Sequence, residues 1–495
     1  MTGEEISLEN HMAMKVLFAA VEMAPFAKVG GLADVIGALP PAIKNLGIDT
    51  RIVLPDYALI RNSGRYKTKL IIEDWPVKIN PYWTKMMNVW ELEGFDVPVY
   101  LIDTDEWFHE ADRSETIYRI GIDQYLFFSE AVLQLTKALN WKPDVIHCHD
   151  WHTGFIPVLM REKHQEDFDS VASFYTIHNL AYQGEFDIDI LDKLGLPHSL
   201  FNSHQVEAWG RVNFLKSGAA YADSVSTVSE TYAKEIQTSS FGCSLDGLMI
   251  YLHQQGRLLG ILNGIDTSTF NPETDPDIRY HYSSQNLNGK HQCKQDLLKI
   301  LNWKGQAEKP LLGMVSRISG QKGHRLVIES AHALQQLGVQ IVILGSGEPA
   351  LVEALHQLSK EMPDTFNFVE GFHETLAPKI YAGCDGFLMP SIFEPCGLGQ
   401  MIAMRYGTVP IARLTGGLAD TVFENINGFT FLNANATELS SALNRFVQSY
   451  TQRPKFEKIM QTGMNADFSW LNSAQKYVEA YNVACEGRQK YSKSA

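Results

Sequence analysis

The sequence predicts an α/β protein made of two doubly wound domains, each built around a parallel sheet. The chain has 495 residues, which fits two or three domains. Short apolar or β-branched runs alternate with helix-like stretches along it, and the alternation becomes more regular from Leu311 onward. With 45% hydrophobic and 20% charged residues, the composition is that of a folded globular protein and not of a disordered one.

The first half begins with an apolar run at residues 15–21, which predicts a strand. Pro25 and the pair Gly30-Gly31 end this run, and the periodic apolar residues after the glycines predict a helix. Pro40 and Pro41 should kink or shorten that helix. Further strands of this half are predicted at residues 144–148, 173–177 and 224–227.

The second half repeats the pattern more regularly. Strands are predicted at residues 311–315, 340–344, 366–369, 386–389, 409–411 and 429–431. In a doubly wound sheet, ligands bind at the carboxyl ends of the strands. We place the hinge between the halves near residues 256–260. The last segment, 468–483, carries Trp470, Ala474, Tyr477 and Tyr481 at helical spacing, which predicts an amphipathic helix that packs against the rest of the protein.

Charge and composition exclude several classes of partner. With 42 basic and 57 acidic residues the net charge is -15, so neither nucleic acid nor an anionic membrane surface is an expected partner. No apolar run is long enough to span a bilayer, and Glu4, Glu5 and Glu9 are unlike a signal peptide. The six cysteines form no C-x-x-C pair, which favours reduced thiols and an intracellular location.

A glycine loop follows the first predicted strand. Lys28, Gly30 and Gly31 stand where a strand turns into a helix, a place where backbone N–H groups can bind a phosphate. The sequence Gly-Gly-Leu-Ala-Asp occurs at residues 30–34 and again at 416–420, which suggests one phosphate-facing loop in each domain. Glycine turns of this kind are common, so an ordinary turn is the alternative.

A polar cluster follows the strand at 144–148. His147, His149 and His152 resemble a metal site, but His147 and His149 share one face of the strand while Cys148 points away, and there is no second cluster of ligands. A sugar suits Asp150 and its neighbours better, because hydroxyls pair with carboxylates. His178 and Asn179 likewise end a buried strand, and a structural histidine beneath a loop is the alternative there.

Three charged residues follow strands of the second half. Arg317 and Lys322 flank a turn where two cations could clamp a pyrophosphate without a metal, the alternative being a solvated surface pair. Glu394 precedes Pro395, and because proline suits the first position of a helix, we expect Glu394 at a helix cap. A carboxylate that only caps the helix is the alternative.

Eight segments, taken together and in order, resemble the bacterial glycogen synthase and plant starch synthase family. They are KVGGLADV (28–35), HDWH (149–152), TIHNLAYQG (176–184), LKSGAAYADSVSTVS (215–229), ILNGID (261–266), SRISGQKG (316–323), FEPCGL (393–398) and TGGLADTV (415–422). The resemblance implies the GT-B fold, two Rossmann-like domains facing across a cleft. It implies an N-terminal domain at 14–257 completed by a returning helix at 466–485, and a nucleotide-sugar domain at 258–465.

The resemblance also implies an activity: the transfer of glucose, with retention of configuration, from ADP-glucose to the non-reducing end of an α-1,4-glucan. Glu394, His178, Asp150, Arg317 and Lys322 are the catalytic residues that it implies. The donor-binding residues that it implies are Lys28, Gly30, Gly31, Asn179, Phe372, Cys396, Gly397, Leu398, Thr415, Gly416 and Gly417, with Phe372 stacking on the base. No metal and no cofactor are expected, and the location would be the cytoplasm, or the plastid stroma after removal of a transit peptide.

The sequence departs from the family at several positions. Val29, Ile392 and Gly399 replace a Thr, an Arg and a Thr that are common in the family, and the segment 107–128 lacks two family patterns and retains only Tyr118 and Arg119. Two rival functions remain: a glucosyltransferase that uses UDP-glucose or another acceptor, and a glucan-binding or priming scaffold with little turnover. A phosphorylase would need a pyridoxal phosphate lysine, for which the sequence has no motif.

Overall fold

A computed structural model describes residues 13–104, 107–119, 121–303, 306–371, 373 and 375–494. The chain forms two compact units. Of the described residues, the first unit contains those up to 226, 236–259 and those from 473 onward, and the second contains those of 227–235 and 260–472. Within the described part of the chain, no helix has both the length and the apolar character needed to cross a membrane.

The first unit is organised around a mixed sheet that is parallel at its centre. Its strands, together with three short ones that form a separate sheet, are β1 (Lys15–Ala19), β2 (Asp49–Pro55), β3 (Thr68–Asn80), β4 (Trp83–Leu92), β5 (Val99–Asp103), β6 (Val145–His149), β7 (Ala172–Ile177), β8 (Glu185–Phe186), β9 (Glu207–Ala208), β10 (Arg211–Asn213), β11 (Ser224–Thr227) and β12 (Leu258–Gly260). The order in the large sheet is β12-β11-β7-β6-β1-β2-β5-β4-β3. Strands β6 and β7 are buried along their whole length, as expected for the middle of a parallel sheet.

Helices connect these strands. Their bounds are Gly31–Lys44, Ala58–Arg61, Ile122–Ala138, Phe155–Glu162, Gln165–Phe168, Asp189–Leu194, Phe214–Tyr221 and Asp246–Gln254, followed by most of the terminal helix Trp470–Ser494. The terminal helix packs on the sheet through Tyr477 and Tyr481, both fully buried. The Tyr481 hydroxyl lies 2.7 Å from Nδ1 of His147, inside β6. The predicted amphipathic helix is therefore confirmed, and the burial of its aromatic residues explains its spacing.

The second unit has a parallel sheet of its own. Its strands are β13 (Leu311–Val315), β14 (Gln340–Gly345), β15 (Phe366–Glu370), β16 (Gly386–Met389), β17 (Val409–Arg413) and β18 (Phe429–Phe431), in the order β15-β14-β13-β16-β17-β18. Every pair of neighbours runs parallel. The helices of this unit are Glu230–Glu235, Asn288–Ile300, His324–Glu329, Ala331–Gln336, Pro349–Glu361, Leu376–Gly383, Gly399–Arg405, Gly416–Thr421, Ala436–Thr451 and Arg453–Met464.

The predicted fold class is confirmed, since each unit is an α/β structure built on parallel strands. Each predicted strand is present, with bounds that shift by two residues at most. The helix Gly31–Lys44 does not stop at Pro40 and Pro41 but continues to Lys44, and the predicted kink at these prolines stays a prediction. The chain leaves the helix soon afterwards, at Asn45, whose N–H donates to the carbonyl of Pro41.

Candidate active site

Both large sheets contain a point at which the chain reverses its winding direction. In the first unit, β1 lies between β2 and β6; in the second, β13 lies between β14 and β16. Connections on the two sides of such a point leave in opposite directions and open a crevice at the carboxyl ends of the strands, where α/β proteins bind ligands. Most of the predicted site residues follow strands β1, β6, β7, β13 and β16, so the topology places them at these two crevices.

The glycine loop after β1 is organised by a carboxylate that we did not predict. Glu22 accepts hydrogen bonds from the backbone N–H groups of Val29 (2.7 Å) and Gly30 (2.8 Å) and from the hydroxyl of Tyr118. Burial raises the pKa of Glu22, and these hydrogen bonds lower it in part. The signal for Glu22 in the sequence was an acidic residue at the end of an otherwise apolar run.

The same loop leaves space beside the start of the helix Gly31–Lys44. A Cβ added at Gly30 or Gly31 would meet no atom within 4 Å. The side chain of Lys28 is 46% exposed and forms an ion pair with Asp34 at 2.6 Å. Open space, a helix N-terminus and a cation together suit a phosphate group, which is the prediction made for these residues.

Asp150, directly after β6, has an unusual backbone. Its φ of 56° and ψ of 179° lie in a region that is almost restricted to glycine, so the fold holds a strained residue at the crevice. Its Oδ1 accepts the backbone N–H of His178, which follows β7, at 2.8 Å. Burial raises the pKa of Asp150 to about 7, while N–H groups of His178 and Asn179 act in the opposite direction. The carboxylate is thus fixed beside half-buried His178 and Asn179.

The three histidines at residues 147, 149 and 152 have different environments. His147 belongs to the core, with Nδ1 on Tyr481 and Nε2 on Thr176 Oγ1 at 2.6 Å. His152 is buried beneath Tyr118, whose ring stacks on it with centroids 4.9 Å apart. His149 forms a hydrogen bond with His178. Burial lowers the pKa of His178 and of the three histidines at 147, 149 and 152. Among the described residues, no group of three or more His, Cys, Asp or Glu side chains could hold a metal ion.

In the second unit, a half-buried lysine and a buried carboxylate form an ion pair at the crevice between β13 and β16. The Nζ atom of Lys322 lies 2.9 and 2.7 Å from the two carboxylate oxygens of Glu394, which is 4% exposed. Ser391 donates its hydroxyl to Glu394 Oε2 at 3.0 Å. Arg317, just after β13, is exposed. Two cations and a carboxylate therefore follow neighbouring strands.

The expected helix cap at Glu394 was wrong. The helix begins at Gly399, with Leu398 before it, and residues 394–397 form an irregular loop. Gly397 takes a φ of +74° and would place a Cβ 3.1 Å from Glu394 Cγ, so the chain must turn sharply and cannot start the helix at Pro395. Lys322 and Ser391, and not a helix end, hold the carboxylate of Glu394.

The second Gly-Gly-Leu-Ala-Asp copy begins a helix at Gly416, as the first does at Gly31. Its glycines, however, are tightly packed: a Cβ at Gly416 would lie 1.9 Å from the carbonyl oxygen of Glu394, and one at Gly417 2.2 Å from that of Cys396. Glu235 accepts the Thr415 hydroxyl at 2.9 Å and the Gly416 N–H at 3.1 Å. These glycines allow the helix to support the backbone of the Glu394 loop.

The structure therefore groups the predicted residues by unit. Lys28, Gly30 and Gly31 lie with Glu22, and Asp150 lies with His178 and Asn179. In the second unit, one loop system contains Lys322, Glu394, Cys396, Gly397, Leu398, Thr415, Gly416 and Gly417. The Cys396 thiol is buried, which raises its pKa to about 12 and makes it a poor nucleophile. Phe372 lies outside the described residues.

Comparison with known proteins gives matches along most of the chain. The family of the starch synthase catalytic domain matches residues 15–251, and that of the group 1 glycosyl transferases matches 301–462. The chain is 42% identical to the glycogen synthase of Syntrophotalea carbinolica, over 96% of this chain and 99% of that protein. It is 40% identical to that of Clostridioides difficile, over 96% and 100%. It is also similar to the solved catalytic domain of starch synthase IV from Arabidopsis thaliana bound to ADP and acarbose, with a TM-score of 0.87, 33% identity and coverage of 96% and 100%.

Proposed function

Because the chain belongs to the glycogen synthase and starch synthase family and is a glucosyltransferase, we propose that it transfers glucose, with retention, from ADP-glucose to the non-reducing end of an α-1,4-glucan. The observation that carries this proposal is the ion pair of Lys322 with the buried Glu394 carboxylate at the winding reversal of the second sheet. We expect the reaction to take place in the cytoplasm. The ADP bound to the related starch synthase IV supports an adenine nucleotide as the donor.

The departing diphosphate needs positive charge close to it. In this proposal Arg317 and Lys322 neutralise the charge that develops on the diphosphate as the bond to the glucosyl carbon C1 breaks. Lys322 donates hydrogen bonds to Glu394, so its ammonium group can contact the diphosphate and the carboxylate at the same time. Lys28 and the open loop at Gly30 and Gly31 offer a further phosphate site in the first unit. Arg317 and Lys322 would thus neutralise the departing diphosphate, a role that a divalent metal ion has in other enzymes.

The transferred glucose loses electron density at C1 as the diphosphate leaves. The Glu394 carboxylate stabilises this positive charge and hydrogen-bonds sugar hydroxyls, so its effect is larger in the transition state than in the ground state. Asp150, His178 and Asn179 surround the sugar and the acceptor. A hydroxyl of the terminal glucan residue forms the new bond to C1, and its proton passes to the departing phosphate oxygen.

Two alternatives make different predictions. A UDP-glucose enzyme of the same fold would share every residue discussed above, because base choice depends on a few backbone contacts. A glucan-binding or priming scaffold would not need Arg317, Lys322 and Glu394 together, since only turnover requires a diphosphate clamp beside a buried carboxylate. The presence of this combination favours an enzyme.

A donor panel tests the proposal. The purified full-length chain is incubated with ADP-glucose or UDP-glucose, with and without glycogen, and release of the nucleoside diphosphate is measured. We expect rapid, glycogen-dependent release of ADP from ADP-glucose and little release of UDP. Preference for UDP-glucose would replace the donor assignment, and no release from either donor would favour the scaffold.

A further inference from the structure

Two imidazole rings share a hydrogen bond at the end of the first sheet. His149 is the last residue of β6, and His178 follows the neighbouring parallel strand β7. The Nδ1 atom of His149 lies 3.0 Å from the Nε2 atom of His178. One of these nitrogens must carry the proton, and the choice fixes the tautomer of both rings.

The surroundings of His149 decide between the two arrangements. Its ring is buried between Phe18, stacked at 5.7 Å, and His147 at 4.0 Å. Its Nε2 is buried and has no hydrogen-bond partner among the residues that the structure describes. If His178 were the donor, the proton of His149 would sit on this Nε2 as a buried N–H group without an acceptor, an arrangement that folded proteins rarely contain.

The opposite arrangement avoids the unpaired donor. With the proton of His149 on Nδ1, His149 donates to His178 Nε2, and only a lone pair is left at the buried Nε2. His178 must then carry its own proton on Nδ1. No described residue bonds this Nδ1, and the side chain is half-buried at the crevice. Neutral rings suit the geometry, since burial lowers the pKa of His149 well below its usual value and that of His178 to about 3.

We propose that His149 is a positioning residue that donates its Nδ1–H to His178, fixes His178 as the Nδ1–H tautomer and so directs a hydrogen-bond donor toward the transferred sugar. The tautomer follows from the two imidazoles alone, and the sugar contact rests on the proposed function. The role differs from that of His147, which bonds Tyr481 and Thr176 within the core. Of these two histidines, His147 supports the fold, and His149, the first residue of the HDWH motif, supports His178.

NMR spectroscopy of the full-length, ligand-free chain with ¹⁵N-labelled histidine tests the tautomer directly. The His178 signals are assigned by their loss in His178→Asn. We expect a protonated, pyrrole-type nitrogen at His178 Nδ1 and an unprotonated nitrogen at Nε2. In His149→Leu this preference should weaken or reverse. A proton on Nε2 of His178 in the unaltered chain would overturn the proposal, whether or not the protein transfers glucose.

Kinetics with two near-isosteric variants test the consequence. His149→Asn places an amide N–H near the position of Nδ1, whereas His149→Leu has the same shape without a donor. We expect kcat/KM for ADP-glucose to fall about tenfold or more in His149→Leu, because the loss of a net hydrogen bond corresponds to a factor of about that size. In His149→Asn, which keeps a donor, kcat/KM should stay within about threefold of the value for the unaltered chain. The unfolding temperature of each variant measures how much the cavity left by the smaller side chain destabilises the protein. Equal losses of kcat/KM in both would overturn the positioning role.

Tyr481→Phe serves as the control for damage to the core. It removes the hydrogen bond to His147 and leaves the His149–His178 pair in place. We expect a lower unfolding temperature with an unchanged kcat/KM. A loss of activity in Tyr481→Phe equal to that in His149→Leu would show that any disturbance of this core slows the enzyme, and would overturn the proposal.

Discussion

Glu394→Gln removes the negative charge of the buried carboxylate and keeps its volume. The amide oxygen can still accept a hydrogen bond from Lys322 or Ser391, which bond the two carboxylate oxygens at 2.7 to 3.0 Å. What is lost is the charge that balances Lys322 in the resting protein and that would stabilise a positive glucosyl carbon in the transition state. The substitution therefore isolates the charge from the shape of the side chain.

The size of the effect can be worked from the structure. Two unit charges about 2.8 Å apart attract by roughly 6 kcal/mol at an effective dielectric constant of about 20, and desolvation offsets much of this. Removing one partner of a buried pair typically costs about 3 kcal/mol of folding free energy. For catalysis we expect kcat to fall by on the order of 10², equivalent to about 2.7 kcal/mol of transition-state stabilisation. ADP affinity should change little, because Arg317 and Lys322 remain.

The assay measures kcat from ADP release with saturating glycogen, ADP affinity by calorimetry and unfolding by heating. Glu424→Gln is the matched control: Glu424 also forms an ion pair in the second unit, with Arg445 at 2.8 Å, but it is a third exposed and we assign it no part in the site. We expect the control to lose less than about 1 kcal/mol of stability and no activity. If Glu394→Gln loses ADP affinity in proportion to its rate, the carboxylate only holds the loop, and the catalytic role assigned to it is wrong.

Three further predictions concern the backbone and charge of the two crevices. The free energy of unfolding should be about 1 to 3 kcal/mol larger for Asp150→Gly than for Asp150→Ala, because only glycine adopts this φ and ψ without strain. A larger free energy of unfolding for Asp150→Ala, which is the usual order of the two residues, would contradict this. Gly416→Ala should destabilise the chain by about 3 kcal/mol or more, whereas Gly30→Ala should leave the unfolding temperature unchanged and slow turnover; equal stability of the two variants would contradict the packing described for them. The folded chain holds the Asp150 proton up to about pH 7 and the unfolded chain releases it near pH 4, so stability should fall as pH rises between these values. A pH series of denaturant melts should show the free energy of unfolding of the unaltered chain falling by on the order of 4 kcal/mol more than that of Asp150→Asn. The same pH dependence in both proteins would contradict this.

Much of the sheet architecture could be predicted because buried parallel strands are short and continuously apolar. The runs at β6, β7, β13 and β16 stand out from their polar flanks for this reason. The residues that follow these strands were predicted as site residues, since the carboxyl ends of parallel strands meet at one edge. The positions of Asp150, His178 and Arg317 at these ends follow from that rule.

Local geometry was harder to predict. A proline after Glu394 suggested the start of a helix, but the turn at Gly397 delays the helix to Gly399. Glu235 was missed because its partners, Thr415 and the Gly416 N–H, lie far away in the sequence. Glu22 was missed although its backbone partners are only seven and eight residues away, because a single acidic residue at the end of an apolar run does not show which N–H groups it accepts. The two Gly-Gly-Leu-Ala-Asp copies read alike, yet one is open and the other is packed, because their tertiary neighbours differ.

The most direct test of the central proposal is the fate of the glucose itself. The full-length chain is incubated with ADP-glucose labelled in its sugar and with glycogen, and the washed glucan is digested by an exo-acting glucanase specific for α-1,4 bonds at non-reducing ends. We predict that the label enters the glucan, that the glucanase releases it early in the digestion, and that Arg317→Ala and Glu394→Gln incorporate far less. Release of ADP with free labelled glucose and an unlabelled glucan would identify a hydrolase and contradict the account.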